Sequence, residues 1–307
     1  MKVNVGIVGY GNLGKAVEKL AILDSQINLV AIFSRRNVSS EFKTQVLNVN
    51  KIEEFEGSID MLILCGGSYS DIPQQTENLI KKFNIINSFD THKNIASEVK
   101  KINTLARRNN TVALCSIGWD PGLFSVIRLL FSKISTDKVA CSWGKGVSMG
   151  HSNALKQIVG VKHAKSYTIP KKNKKEIIHK RVCVIVKNGN KNKKEIIQQI
   201  KNNKLYFGDK NLKIKFIKEK SFLKKHNKIY HAGKVFTKFK MLNENFNLKL
   251  EVNMSSNPLF TAKIMIVYAK ALKNIKNKLG AGAYTALDIP PAFLHLKGKF
   301  NAIESYC

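Results

Sequence analysis

A chain of 307 residues suits one large domain or two ordinary ones, and a hydrophobic share of 44% supports a buried core and excludes wholesale disorder. No apolar run reaches membrane-spanning length, and Met1-Lys2 leads straight into a strand pattern, so neither a membrane span nor a secretory leader is expected. The excess of 52 Lys and Arg over 21 Asp and Glu, a formal net charge of +31, raises a nucleic-acid partner, but the lysines lie in mixed Lys-Asn-Ile stretches (171–178, 191–204) with no aromatic-interleaved basic stripe, so surface drift is expected in place of a specific nucleic-acid site.

In chain order, an apolar strand pattern over Val3–Val8 runs into Gly9-Tyr10-Gly11-Asn12-Leu13-Gly14, and helical spacing follows at Ala16, Val17, Leu20 and Ala21. A G-x-G-x-x-G turn between strand and helix is the setting in which this motif holds a dinucleotide. Gly9 permits the turn, Gly11 lets backbone approach a pyrophosphate, and Gly14 brings helix and strand together. The helix N-terminus then offers free N–H groups to the phosphates. The next apolar run, 28–33, ends in Ser34-Arg35-Arg36, where an NAD site would carry an acidic residue for the ribose 2′-OH. A hydroxyl and two guanidiniums suit a 2′-phosphate instead, which predicts an NADP-binding domain.

Further strands are predicted at 61–65, 84–87 and 111–116, with a helix over 97–107. This alternation argues for a doubly wound parallel sheet whose ligands bind beyond the carboxyl ends of the strands. Those ends carry Cys65-Gly66-Gly67-Ser68, Ser88-Phe89-Asp90 and Ile117-Gly118-Trp119-Asp120-Pro121. Beyond Trp143 the texture changes. Arg181 to Val186 reads as a strand, 171–180 as an exposed loop, and the alternating runs Leu212/Ile214/Phe216 and Phe246/Leu248/Leu250/Val252 as antiparallel strands with one wet face. Asn257-Pro258 opens a helical pattern that continues over 262–272.

The five cysteines (Cys65, Cys115, Cys141, Cys183, Cys307) are scattered without C-x-x-C spacing, which fits a reducing cytosol and neither a disulfide framework nor a zinc site. The seven histidines show no H-x-x-x-H pair, so no metal is expected.

Asp90 and Asp120, beyond strand ends, could stabilise positive charge on a nitrogen, or could serve only as a helix cap and a turn residue. Trp119 and Trp143 could wall a cavity or pack in a core. Arg181 has the planar fork that binds a carboxylate, although a lone strand arginine is usually a surface residue.

Together, Gly9 to Gly14, Phe33-Ser34-Arg35-Arg36, Asp71-Ile72-Pro73, Phe89-Asp90-Thr91-His92, Gly118-Trp119-Asp120-Pro121-Gly122, Trp143-Gly144 with Gly150-His151-Ser152, and Asn257-Pro258 resemble the meso-diaminopimelate D-dehydrogenase family across nearly the whole chain. The resemblance implies reversible NADP-dependent oxidative deamination of meso-2,6-diaminopimelate at its D-centre, giving L-2-amino-6-oxopimelate, ammonia and NADPH, in lysine and cell-wall precursor supply. It implies a cytoplasmic homodimer with an NADP-binding Rossmann domain over 1–118, joined by a C-terminal segment of about 258–307. A substrate-binding and dimerisation domain over 119–257 would hold a mixed or antiparallel sheet.

The resemblance assigns Asp90 and Asp120 to the D-amino group, the backbone at Met149-Gly150 to the D-centre carboxylate, and Trp119 and Trp143 to the cavity wall. It assigns Thr168, Arg181 and His231 to the distal carboxylate and Asn257 to polar contacts at that end. The general base is either His151 or a water held by Asp120. Cys65 beside the nucleotide is expected to be small-residue packing, not a nucleophile. Two departures bear on fine specificity: a short lysine-filled stretch between Pro170 and Arg181, and Ser142 ahead of Trp143 where an aromatic residue is common. The rival readings are a Rossmann oxidoreductase acting on another D-amino acid or dicarboxylic intermediate, and a non-catalytic, basic NADP-sensing or nucleic-acid-binding protein.

Overall fold

The computed structural model describes residues 2–68, 70–172, 177–208 and 211–307. Two compact units form, Met1–Val126 with Pro258–Cys307, and Ile127–Asn257.

In the first unit, strands β1 (Val3–Val8), β2 (Ile27–Ser34), β3 (Val46–Asn48), β4 (Met61–Leu64), β5 (Ile85–Asn87) and β6 (Val112–Leu114) join the C-terminal strand Gly282–Tyr284. The sheet order is Gly282–Tyr284, β6, β5, β4, β1, β2, β3, with every pairing parallel. Helices α1 (Asn12–Leu23), α2 (Ile72–Leu79) and α3 (Ile95–Arg108) connect strands, and α4 (Leu123–Ile134) follows β6. Parallel strands covered on both faces must be apolar throughout, and β4, Met-Leu-Ile-Leu, is buried at every position. One face packs Ile7, Ile63 and Leu114 against Val17 and Ala21 of α1 and against Met265 and Ile266 of the helix Asn257–Lys270. The other packs Phe33, Leu62 and Ile85 against Ile72 of α2 and Ile102 of α3. Burial of both faces fixes the strand ends, and with them the loops that carry the site.

The second unit contains β7 (Ala140–Trp143), β8 (Gly146–Ser148), α5 (Met149–Lys156), β9 (Val161–Lys172), β10 (Ile177–Lys187), α6 (Lys193–Asn202), α7 (Lys204–Phe207), β11 (Leu212–Phe216), α8 (Glu219–Lys225), β12 (His231–Met241) and β13 (Glu244–Met254). They build a sheet β11-β10-β9-β8 and a sheet β13-β12-β7. The core under the first sheet joins Leu155, Ala164, Cys183, Ile185, Ile196, Ile200, Tyr206 and Phe207.

Two sequence expectations are corrected. Most of 171–180 is not a loop: β9 runs through Lys172 and β10 starts at Ile177, with His179 opposite Pro170 and Ile178 opposite Lys171; positions 173–176 lie outside the described residues. Backbone pairing carries these strands despite their lysines, which point a polarity-based reading toward a loop. The run Leu212–Phe216 is a strand, but it pairs with β10 in parallel, so its sheet is mixed. Alternation reports one half-wet face, not the direction of the neighbour. The sequence reading also passed over β3 and Gly282–Tyr284, three-residue strands at the two edges of the parallel sheet.

Candidate active site

The three glycines of the first turn are required for different reasons. Gly9 has φ +92°, and a Cβ on Gly14 would lie 2.2 Å from the Gly9 carbonyl oxygen, so the protein's own packing demands both. A Cβ on Gly11 would meet nothing within 4 Å. Its bareness serves no internal contact, which is what an approaching ligand backbone-side would need. Gly11 precedes α1 without a side-chain cap, and Asn12 and Leu13 open the helix, so its first-turn amides face that space.

At the end of β2, the Ser34 hydroxyl accepts from the Arg36 N–H at 3.1 Å and donates to the Arg36 carbonyl at 2.9 Å, curling the chain so that both arginines leave the strand together. Arg36 reaches the Tyr10 carbonyl at 3.4 Å. Arg35, with its side chain 67% exposed, donates to Asp71 Oδ1 at 2.6 Å, while Asp71 Oδ2 accepts from the Gly67 N–H at 2.8 Å. Asp71 thus ties the arginine to the Gly66-Gly67 loop. Gly66 is needed there, since a Cβ would come within 2.8 Å of the Asp71 Cβ.

Sequence reading missed Glu18. It is fully buried in α1 and receives the hydroxyls of Tyr10 and Ser40, anchoring the segment after the arginines to the dinucleotide helix. Burial pushes its carboxyl up, but the hydrogen bonds from Ser40, Thr44 and Tyr10 outweigh that and hold it below the ordinary value. Its signal was visible as a lone acid on the apolar face of α1. The Cys65 thiol is buried, and burial drives its pKa far above the ordinary range, so it is no nucleophile.

Asp90 lies three residues beyond β5, after Ser88 and the buried Phe89. The Ser68 hydroxyl donates to Asp90 Oδ1 at 2.7 Å and accepts from the Asp90 N–H at 3.0 Å. Burial pushes the Asp90 carboxyl above the usual carboxylate range, against the Ser68 bond and the attraction of His92; the charge of Asp120 adds a smaller upward push. The two carboxylates therefore share one electrostatic neighbourhood.

Asp120 sits in a tight loop in which Gly118 and Gly122 bridge. Gly122 has φ +124°, and a Cβ there would lie 2.0 Å from the Gly118 carbonyl oxygen. Trp119, 7% exposed, packs edge-on against Phe124 at 5.2 Å, and Ile117 is fully buried. These contacts leave the Asp120-Pro121 peptide at the tip of a braced loop.

In the second unit, the three residues that the resemblance assigns to the distal carboxylate, and Asn257, assigned to polar contacts at the same end, gather around β8. Arg181 donates to the Thr168 hydroxyl at 3.3 Å, its register partner across β9 and β10. Thr168 lies opposite Gly146. A Cβ on Gly146 would fall 2.3 Å from His231 Cα, so only glycine lets β8 pass so close. Asn257 Nδ2 donates to the Val147 carbonyl at 3.2 Å. All four are buried in spite of their polarity. Trp143, half-buried opposite Gly233, donates its backbone N–H to His179 Nε2 at 2.9 Å, with the rings 5.0 Å apart. His179 was missed because it fell in the supposed loop.

Met149 and Gly150 begin α5. His151 follows, with Nδ1 2.8 Å from the Ser148 hydroxyl and its ring 5.1 Å from Tyr206 and 5.8 Å from Phe207. The ring is thus engaged with the aromatic core beside α7. Among the described residues, no group of three or more His, Cys, Asp or Glu is arranged to hold a metal ion.

A family profile described as the diaminopimelic acid dehydrogenase C-terminal domain matches residues 118–256. The meso-diaminopimelate D-dehydrogenase of Ureibacillus thermosphaericus is 35% identical over 314 residues, covering 96% of each chain. An engineered D-amino acid dehydrogenase bound to NADP+ superposes with a TM-score of 0.94 at 31% identity, over 100% of both chains. The Corynebacterium glutamicum DAP dehydrogenase in complex with DAP gives a TM-score of 0.90 at 32% identity, over 100% of this chain and 99% of that one. At 35% identity over nearly the full length of a curated relative, and with the family's C-terminal domain matched over 118–256, the chain belongs to the meso-diaminopimelate D-dehydrogenase family.

Proposed function

We propose that this chain catalyses the reversible NADP-dependent oxidative deamination of meso-2,6-diaminopimelate at its D-centre, yielding L-2-amino-6-oxopimelate and ammonia. The observation that carries the reading is Asp90 and Asp120 held on neighbouring loops beyond a dinucleotide-type turn. The residues present fit NADP: open space over Gly11, an uncapped helix N-terminus, and two arginines leaving β2 where a 2′-phosphate would be met. When bound, NADP supplies the hydride acceptor at its nicotinamide.

The chain's own residues do the rest. As the substrate carbon loses hydride and its ammonium loses a proton, an iminium forms and cationic character spreads over carbon and nitrogen. Asp90 and Asp120, fixed in advance by Ser68 and by the Gly118–Gly122 bridge, stabilise that charge without reorganising. The ammonium in turn offsets the burial that chiefly pushes Asp90 up, together with the smaller repulsion from Asp120. Water then adds to the iminium carbon, and the C–N bond breaks to release ammonia and leave the carbonyl. The water is best activated by Asp120, because the ring of His151 is engaged with Ser148, Tyr206 and Phe207. His151 is then a positioning residue at the head of α5, beside the Met149-Gly150 backbone that receives the D-centre carboxylate.

Arg181, Thr168 and His231 hold the distal carboxylate, Asn257 adds polar contacts there, and Trp119 and Trp143 exclude water. The protein acts as a cytosolic homodimer in lysine and cell-wall precursor supply. No helix among the described residues is long and apolar enough to cross a membrane, and none of the cysteines among the described residues is in a disulfide.

The deciding assay combines purified protein, NADP and separate diaminopimelate stereoisomers, followed by absorbance of reduced cofactor. Turnover of the meso isomer with consumption at the D-centre is expected. Turnover of a simple D-amino acid with none of the meso isomer would move the chain to the rival oxidoreductase reading. Light scattering of the purified protein tests the dimer.

A further inference from the structure

Asn87, the last residue of β5, is 2% exposed and has no assigned part in the chemistry above. Its side chain makes three hydrogen bonds. Oδ1 accepts from the Phe89 N–H at 3.1 Å and from the Ser116 N–H at 3.0 Å. Nδ2 donates to the Thr76 hydroxyl of α2 at 3.1 Å. Its backbone carbonyl accepts a fourth bond, from the Ile117 N–H at 2.8 Å. Phe89 immediately precedes Asp90; Ser116 and Ile117 lead into Gly118-Trp119-Asp120. One buried amide therefore fastens both carboxylate-bearing loops to each other and to the helix behind them.

Ser116 shows what this fastening achieves. It has φ +57°, the left-handed region that a non-glycine residue enters at a cost. Its own hydroxyl is buried and makes no hydrogen bond among the described residues, so the side chain gives nothing back for the strained backbone. The Asn87 bond to its N–H supplies the compensation, and the left-handed turn redirects the chain from β6 toward Asp120. The loops also run side by side, since a Cβ added at Gly118 would come within van der Waals reach of the Ser88 Cβ, at 3.8 Å.

We propose that Asn87 is the positioning residue that sets the separation of Asp90 and Asp120, and so governs the chemical step without touching substrate. Resting on the function proposed above, it assigns a device to that same carboxylate pair. An acceptor oxygen able to take two N–H bonds is the required chemistry. Asp at this position keeps it, because the Thr76 hydroxyl can rotate to donate to the second oxygen. Leu keeps the volume and removes the acceptor, and Ser is too short to span both N–H groups.

Three variants test the assignment: Asn87→Leu, Asn87→Ser and Asn87→Asp, each assayed for NADP binding by fluorescence titration and for kcat and KM with meso-diaminopimelate. Asn87→Leu and Asn87→Ser should lose 10-fold or more in kcat, with KM and NADP affinity within about threefold of the unaltered protein, the signature of an interaction spent on the transition state. Asn87→Asp should keep at least half of kcat. A kcat within twofold in Asn87→Ser, or an Asn87→Asp as impaired as Asn87→Ser, overturns the proposal. If Asn87→Leu fails to bind NADP because it does not fold, the Ser and Asp pair decides alone. Unaltered protein that turns over another D-amino acid, and not the meso isomer, defeats the substrate reading; the variants are then scored on that substrate, so the two failures are told apart.

Discussion

In the unit that holds the Gly9–Gly14 turn, the residues that the proposed function gives to ligand stand on loops beyond strand ends, from Arg35, its side chain 67% exposed, to Asp90, whose carboxyl burial pushes up. In the other unit the residues to which the proposal gives that part stand within or beside strands and are sunk: Thr168 is 5%, Arg181 8%, His231 5% and Asn257 3% exposed. The first arrangement separates binding from stability, because a loop tip can change while the parallel sheet beneath keeps its burial. The second makes recognition part of the fold. A buried guanidinium must keep its hydrogen bonds or cost stability, so a clamp built this way, as the proposed function has it, would be stiff before substrate arrives and would lower the ordering cost of binding.

The largest expected effect lies in the loop unit. Asp120→Asn keeps the shape of the side chain and removes its charge, so kcat should fall roughly 10²–10³-fold, the size seen when one preorganised charge-stabilising group is lost. NADP affinity and melting temperature should hold. Stopped-flow turnover with a parallel thermal melt checks this, and a loss shared equally by folding and activity would erase the contrast between the units.

The buried clamp comes next. Arg181→Leu replaces a sunk cation by an apolar residue, which a protein interior can accept. Loss of a charge-assisted pair to the distal carboxylate should lower kcat/KM for meso-diaminopimelate by about 10- to 100-fold. Arg181→Lys should not restore it, since a point charge cannot reproduce the planar fork. Turnover of a simple D-amino acid that lacks the distal end should change little. Equal losses on both substrates would mean that Arg181 serves the fold alone.

The same contrast explains how far the sequence could be read. The dinucleotide turn, the strands at Val3–Val8 and Met61–Leu64, and the loops ending in Asp90 and Asp120 were legible because a parallel sheet needs uninterrupted apolar runs and its ligand loops need glycine at fixed spacing. Composition hid the strand ends around 171–180, where register is set by backbone pairing and not by apolar periodicity. Edge strands of three residues were too short to show a pattern. Arg181 and His231 stood out only through family resemblance, because burial of a lone polar residue depends on neighbours distant in sequence. Asn87 left no local signal of its partners for the same reason, whereas Glu18 showed as a lone acid on the apolar face of α1 without revealing what it binds.

A smaller effect is expected at the arginines. Replacing Arg35 and Arg36 together by Ala should weaken NADP binding by roughly 10- to 100-fold, within the range for charge-assisted bonds to a phosphate. NAD binding should hardly change. Raising salt should shrink the difference, because Arg35 is exposed and screened. Isothermal titration with both nucleotides at two ionic strengths measures this; equal losses for NAD and NADP would make these residues ordinary surface charges.

The smallest effect is thermodynamic and concerns Asp90. Burial holds its carboxyl above the ordinary value, so the folded protein binds that proton more tightly than the unfolded chain. Between the unfolded value of about 4 and the raised folded value, unfolding releases the proton, and stability falls as pH rises. Below that window both states are protonated and the penalty vanishes. Asp90→Asn keeps the acceptor for Ser68 and carries no titrating proton. It should therefore melt higher than the unaltered protein at neutral pH, with the two curves converging as pH drops toward 4. Catalysis should be lost in the same variant, which is the exchange of stability for function expected where a charge is kept buried for use. If Asp90→Asn instead melts lower at neutral pH and the gap narrows under acid, the ionised carboxylate stabilises the fold, and the burial penalty assigned to Asp90 does not exist in the free protein.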